Sequence, residues 1–85
     1  MKSFDYLVQS CDGIHARPAT LIVSKAKEYK SEITITNKEK TVDSKRMIAV
    51  MSLNAKQGDK LKIVINGEDE EKAYDELLML FKENI

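Results

Sequence analysis

Tryptophan is absent from the chain, and cysteine, histidine and proline each occur once. Cys11 has no partner for an internal disulfide. With a single imidazole it also provides no metal-ligand set, so we read it as a small residue of a turn. The three tyrosines and two phenylalanines are scattered, which leaves no stacking platform for single-stranded nucleic acid. Charge of one sign is missing too. Fourteen basic residues cancel fourteen acidic ones, so bulk charge points to neither a polyanion nor a membrane surface. A small nucleic-acid-binding domain would need a basic stripe that is not there. The opening residues MKSFDYLVQSCDG carry Asp5 and no continuous apolar stretch, unlike a signal peptide. No apolar run approaches the ~20 residues of a membrane span. We expect a soluble, cytoplasmic protein without membrane insertion. Eighty-five residues allow one domain, residues 1–85, with one small core and a shallow site.

What is present is patterned. Residues 2 to 9 alternate, with Phe4, Tyr6 and Val8 on one face, as in a half-buried strand. Cys11-Asp12-Gly13 is turn chemistry. Ala19, Ile22, Val23 and Ala26 then recur at helical spacing, predicting a helix from Ala16 to about Tyr29. Glu32–Asn37 and the Thr41-Val42 pair form a hairpin around Lys38–Lys40. Met47–Leu53 reads as a short helix, with Ser44 as its cap. Gln57-Gly58-Asp59 turns into an alternating strand, Lys60–Asn66. The last helix begins near Asp69 with the stripe Ala73, Tyr74, Leu77, Leu78, Phe81 and Ile85. Glu68–Glu71 suit its positive end, a solvated helix start rather than a metal site. The order β-α-β-β-α-β-α predicts an α+β fold, four strands with helices on one face.

Residues 13–20, GIHARPAT, hold the only histidine and the only proline. Gly13 permits a tight turn. Pro18 belongs in the first helical turn, where a missing N–H costs nothing. His15 then lies at or beside the N-cap, next to the free amides of Ala16 and Arg17. Such amides and the helix dipole favour an anion, and that field leaves the ring neutral with one nucleophilic nitrogen near pH 7. Arg17 adds a guanidinium fork for phosphate oxygens. A phosphoryl group passing through His15 needs little beyond positioning and charge.

The helices also carry more apolar residues than a core can take. The first one's core stripe turns Leu21 outward, together with Arg17, Thr20 and Ser24. Met47, Ile48, Val50, Met51 and Leu53 cannot all face inward on one short helix. Met47 and Met51, with Leu21, would form a soft patch able to meet more than one partner.

At these residues the chain resembles the histidine-containing phosphocarrier family, HPr, of the bacterial sugar phosphotransferase system. GIHARPAT is similar to that family's Gly-Leu-His-Ala-Arg-Pro motif. Val50-Met51-Ser52-Leu53, Gln57-Gly58-Asp59 and Gly67-Glu68-Asp69-Glu70-Glu71 extend the likeness along the whole chain. The resemblance implies an open-faced β-sandwich: a four-stranded antiparallel sheet covered on one face by three helices. It implies that His15 accepts a phosphoryl group on Nδ1 from Enzyme I, which takes it from phosphoenolpyruvate. His15 would then pass it to the enzyme IIA unit of a sugar transporter. Arg17 and the backbone of Ala16 and Arg17 would steady the phosphate. Thr20, Leu21, Ser24, Met47, Ile48 and Met51 would dock Enzyme I, enzyme IIA and regulatory proteins. No metal or organic cofactor is implied. Such a protein is a carrier, not an enzyme in the usual sense, and is most simply a monomer.

One position departs from the family. Many relatives carry a serine near the start of the second helix, phosphorylated by a dedicated kinase to couple transport to catabolite repression. Here Arg46 stands at that position and Ala49 replaces the usual glycine. A specialised paralogue, for one transporter or a nitrogen-related pathway, would look like this. The alternative from another class is a regulatory binding module of the same fold, acting by contact without phosphate relay. His15 and Arg17 argue against it. A stand-alone hydrolase lacks a second acid or base near His15.

Overall fold

Alternation along each strand sets the sheet, and the computed structural model describes all 85 residues. The elements are β1 (Lys2–Leu7), α1 (Ala16–Ala26), β2 (Glu32–Asn37), β3 (Lys40–Asp43), α2 (Met47–Ser52), β4 (Lys60–Asn66) and α3 (Glu70–Asn84). The strands are antiparallel in the order β1-β4-β2-β3. Register aligns one apolar row across all four, Phe4–Ile63–Ile35–Val42, facing the helices. The neighbouring row Asp5–Lys62–Thr36–Thr41 faces solvent. Because side chains alternate with period two, a one-residue slip would exchange these rows, and burial therefore pins the register. The result is the open-faced β-sandwich, with all three helices on one side.

The core lies between the sheet and the helices. Ala19, Ile22, Val23 and Ala26 of α1 are buried, as are Ala73, Leu77 and Phe81 of α3. Phe81 meets Phe4 and Tyr6 edge-on, with ring centroids 5.7 and 5.5 Å apart, the arrangement that aromatic quadrupoles favour. Helix α1 stops at Ala26, short of the expected Tyr29. There the chain tightens into i→i−3 bonds, Glu28 N–H to Lys25 and Tyr29 N–H to Ala26. This turn tucks Tyr29 into the core, where its hydroxyl donates to Glu76. Burial first, then Glu76, pushes the Tyr29 hydroxyl up to about 12.

Ser44 corrects an expectation. It does not cap α2: its side chain is buried and donates to the Ile33 carbonyl at 2.9 Å, extending the β2–β3 pairing. Arg46 occupies the N-cap position, with no side-chain cap bond. The acidic entry to α3 also does more than match a dipole. Asp69 accepts bonds from the Lys30 and Ser31 amides, at 2.8 and 3.0 Å, and from the Ser31 hydroxyl. It thereby locks the start of β2 to the start of α3.

The Ser31 hydroxyl, then the Lys30 amide, hold the Asp69 carboxyl down at about 2, against 3.8 for a free aspartate. The folded state thus binds this proton more weakly than the unfolded chain, and the carboxylate stabilises the fold above pH 3.8. That contribution is lost as the pH falls from 3.8 towards 2. Asp69→Asn is accordingly expected to lower the thermal midpoint at pH 7, and its deficit relative to wild type should shrink steadily on acidification through this window. A deficit independent of pH in calorimetric scans would assign the effect to geometry alone.

Candidate functional site

The segment before α1 is held from below. Gly13 has φ +66°, and a Cβ there would stand 2.2 Å from the Ala55 carbonyl oxygen and 2.9 Å from the Lys56 Cα. Only glycine permits both this backbone and this approach. The next residue, Ile14, is buried and donates its amide to the same Ala55 carbonyl at 3.0 Å. Ala55 is placed in turn by Asp59, whose carboxylate accepts from the Lys56 amide at 3.0 Å and from Asn37 Nδ2 at 3.2 Å. These two bonds, the amide first, keep the Asp59 carboxyl below the ordinary aspartate value. Buried Asn37 also donates to the Leu53 carbonyl. A chain of polar contacts therefore runs from the end of β2, through the 53–59 loop, to the residue before His15.

Pro18 and Ala19, buried, fix the other side. Between these anchors His15 is the N-cap of α1, with extended φ and ψ of −125° and −156°. Its carbonyl accepts from the Ala19 amide at 2.9 Å, while the amides of Ala16 and Arg17 have no acceptor within the protein. The imidazole is half exposed, with the Asp12 carboxylate 3.9 Å from Nε2. Arg17 is exposed on the same first turn. The imidazole, free amide donors and a guanidinium thus share one helix start.

Around this point the two helices present apolar side chains to solvent. Ile48 is 83% exposed, Met51 40% and Leu21 37%. Thr20 and Ser24 are exposed alongside. Met47 differs from expectation. It is half-buried against the core, and its sulfur lies 3.9 Å from the Thr20 hydroxyl, which donates chiefly to the Ala16 carbonyl. Met47 therefore joins α1 to α2, and Ile48 supplies the exposed apolar surface instead. Lys27, Lys45, Arg46 and Ile48 line one open groove beside this patch, with Asp43 its only acid. From Gly13 to Lys27 and from Ser44 to Gly58 there is no acidic residue; from Glu68 to Asn84 acids outnumber bases.

The support under His15 was not visible in the sequence. Gln57-Gly58-Asp59 was legible as a turn, but nothing in one dimension brings Ala55 against Gly13. The proximity of Asp12 to Nε2 also went unread, although Asp12 stands three residues before His15.

Comparison with known proteins agrees with this geometry. Residues 2–83 match the family model described as the PTS HPr component phosphorylation site. The chain belongs to the HPr family. The phosphocarrier protein HPr of Borreliella burgdorferi is 45% identical over 76 residues, 89% of this chain and 88% of that protein. A crystal structure of HPr from Thermoanaerobacter tengcongensis superposes with a TM-score of 0.91 at 35% identity, covering 96% of this chain and 92% of that one. The multiphosphoryl transfer protein of Salmonella typhimurium is 36% identical over 74 residues, 84% of this chain and 20% of that longer protein. The chain is a phosphocarrier of the phosphotransferase system, and its partners are components of that phosphotransfer chain. The alternative of a purely regulatory contact module is not favoured. No helix is long and apolar enough to cross a membrane.

Gly13→Ala tests the seat under the ring. The positive φ alone is expected to cost about 1–3 kcal/mol, and the clash with Ala55 adds to it. Urea denaturation should show that loss, and amide chemical shifts should move at Ala16, Arg17 and Lys56 together. Full stability in this variant would mean that the loop has room that its geometry denies.

Proposed function

We propose that His15 is the phosphoryl acceptor of this carrier. The lone pair of Nδ1 attacks the phosphorus of phosphorylated Enzyme I, the bond from phosphorus to its donor atom breaks, and the donor keeps the electron pair. The reverse sequence on an enzyme IIA domain discharges the carrier. The observation that carries this reading is the half-exposed imidazole at the N-cap of α1, beside two unbonded amides and Arg17. The amides of Ala16 and Arg17, with the Arg17 guanidinium, hold the phosphoryl oxygens. The proposed docking face comprises Thr20, Leu21, Ser24, Ile48 and Met51, with Met47 beneath them. Arg17, Lys27 and Arg46 rim it with positive charge. Its partners therefore offer an apolar hollow with an acidic border. The carrier works in the cytoplasm as a monomer of one domain, presenting a single face to successive partners.

Arg46 offers no hydroxyl to a kinase, and the Ser44 hydroxyl is buried and bonded. Seryl control at the start of α2 is therefore absent from this carrier.

Incubation with phosphoenolpyruvate and Enzyme I from the same organism, followed by intact-mass spectrometry at alkaline pH, should add one phosphate. His15→Ala should take none while keeping its fold, and phosphate on that variant would place the acceptor elsewhere. Arg17→Ala should slow transfer about ten- to hundredfold, the scale of one charge-assisted contact.

The docking face has its own test. Ile48→Glu is expected to raise the apparent KM for Enzyme I by about tenfold or more, while the thermal midpoint stays near wild type because Ile48 is exposed. An unchanged KM would remove Ile48 from the contact surface.

A further inference from the structure

From the placement of the Asp12 carboxylate 3.9 Å from His15 Nε2, we infer that Asp12 is a positioning residue that selects Nδ1 as the nucleophilic nitrogen. This rests on His15 being the acceptor and goes beyond it. The turn that carries Asp12 is well held. Gly13 N–H donates to the Ser10 carbonyl at 3.0 Å, Asp12 N–H reaches the Ser10 hydroxyl at 3.4 Å, and Ser10 N–H donates to Ile85 at 2.7 Å. With Gly13 seated on Ala55, the backbone of this turn is fixed, and the Asp12 carboxylate lies on the Nε2 side of the ring.

Two effects then act in the same direction. At 3.9 Å the contact is too long for a hydrogen bond, but a full charge acts at that range. A carboxylate there favours the tautomer with its proton on Nε2, which leaves the lone pair on Nδ1. When Nδ1 attacks phosphorus the ring becomes cationic with the proton still on Nε2, and that positive charge faces Asp12. Attack through Nε2 would instead press a phosphoryl dianion against the carboxylate. Asp12 is exposed and touches no reacting atom, so its work is done through the ring.

The choice of nitrogen can be read without any partner enzyme. Potassium phosphoramidate phosphorylates imidazole directly: a ring nitrogen attacks phosphorus, the P–N bond of the reagent breaks, and ammonia leaves with the electron pair and a proton from water. The Nδ1 and Nε2 products are separated by ³¹P NMR on the intact protein at alkaline pH, with His15→Ala as the blank. Wild type should give mainly the Nδ1 product. Asp12→Ala and Asp12→Asn should each raise the Nε2-to-Nδ1 ratio by about fivefold, what one charge at this distance is worth in water. An unchanged ratio in Asp12→Ala, or a wild-type ratio in Asp12→Asn, overturns the assignment, since the charge would then not be the agent. A merely structural role for Asp12 would alter stability without altering this ratio. If the ratio depends on Asp12 but Enzyme I does not phosphorylate wild-type His15, the relay reading fails and the positioning role stands.

Discussion

The contact on which the site depends is the approach of the Gly13-Ile14 backbone to the carbonyl of Ala55. It has no side chain to tighten it. One amide bond of 3.0 Å, a positive φ and the missing Cβ of a glycine bring two distant loops together. The residues above it follow from that seat: Ile14 enters the core, His15 becomes the N-cap of α1, and Pro18 is buried in its first turn. The seat is itself held by Asn37 and Asp59, so the placement of an exposed imidazole traces back to the end of a central strand. Rigidity of the scaffold below lets the surface residue remain open to partners.

Element order, strand boundaries and the apolar faces were legible because they follow from periodicity alone. Phe4, Ile33, Ile35, Leu61, Ile63 and Ile65 alternate too regularly to be anything but one face of a sheet. The helix start was legible for a different reason: glycine, histidine, arginine and proline at fixed offsets place the N-cap at His15. What escaped were contacts between residues far apart in the chain. Ser44 looked like a cap because it stands just before an apolar run, yet pairing of β3 with β2 draws its hydroxyl to Ile33. Met47 looked exposed because a short helix cannot bury every apolar residue, but nothing in the spacing tells which one turns out. Asp69 looked like one of several solvated acids, and its three bonds to Lys30 and Ser31 depend on where α3 lands.

Arg46 and Ser44 together bear on how such a carrier is governed. Arg46 sets a permanent cation beside exposed Ile48 at the start of α2. The Ser44 hydroxyl, two residues away, is buried and serves the sheet. Charge at residue 46 is thus a constant of the molecule.

The division of charge along the chain has a last consequence. The α1 and α2 segments carry basic residues and no acidic ones along the chain, while Glu68, Asp69, Glu70, Glu71, Asp75, Glu76 and Glu83 gather along α3 and its entry, and the two sets meet where Lys25 pairs with Glu76 at 3.3 Å. The molecule is neutral as a whole. In the field of an acidic surface such a body feels little net pull, and only its basic α1 and α2 segments are drawn towards it. The absence of net attraction lets it leave as readily, which suits a shuttle whose throughput depends on brief encounters.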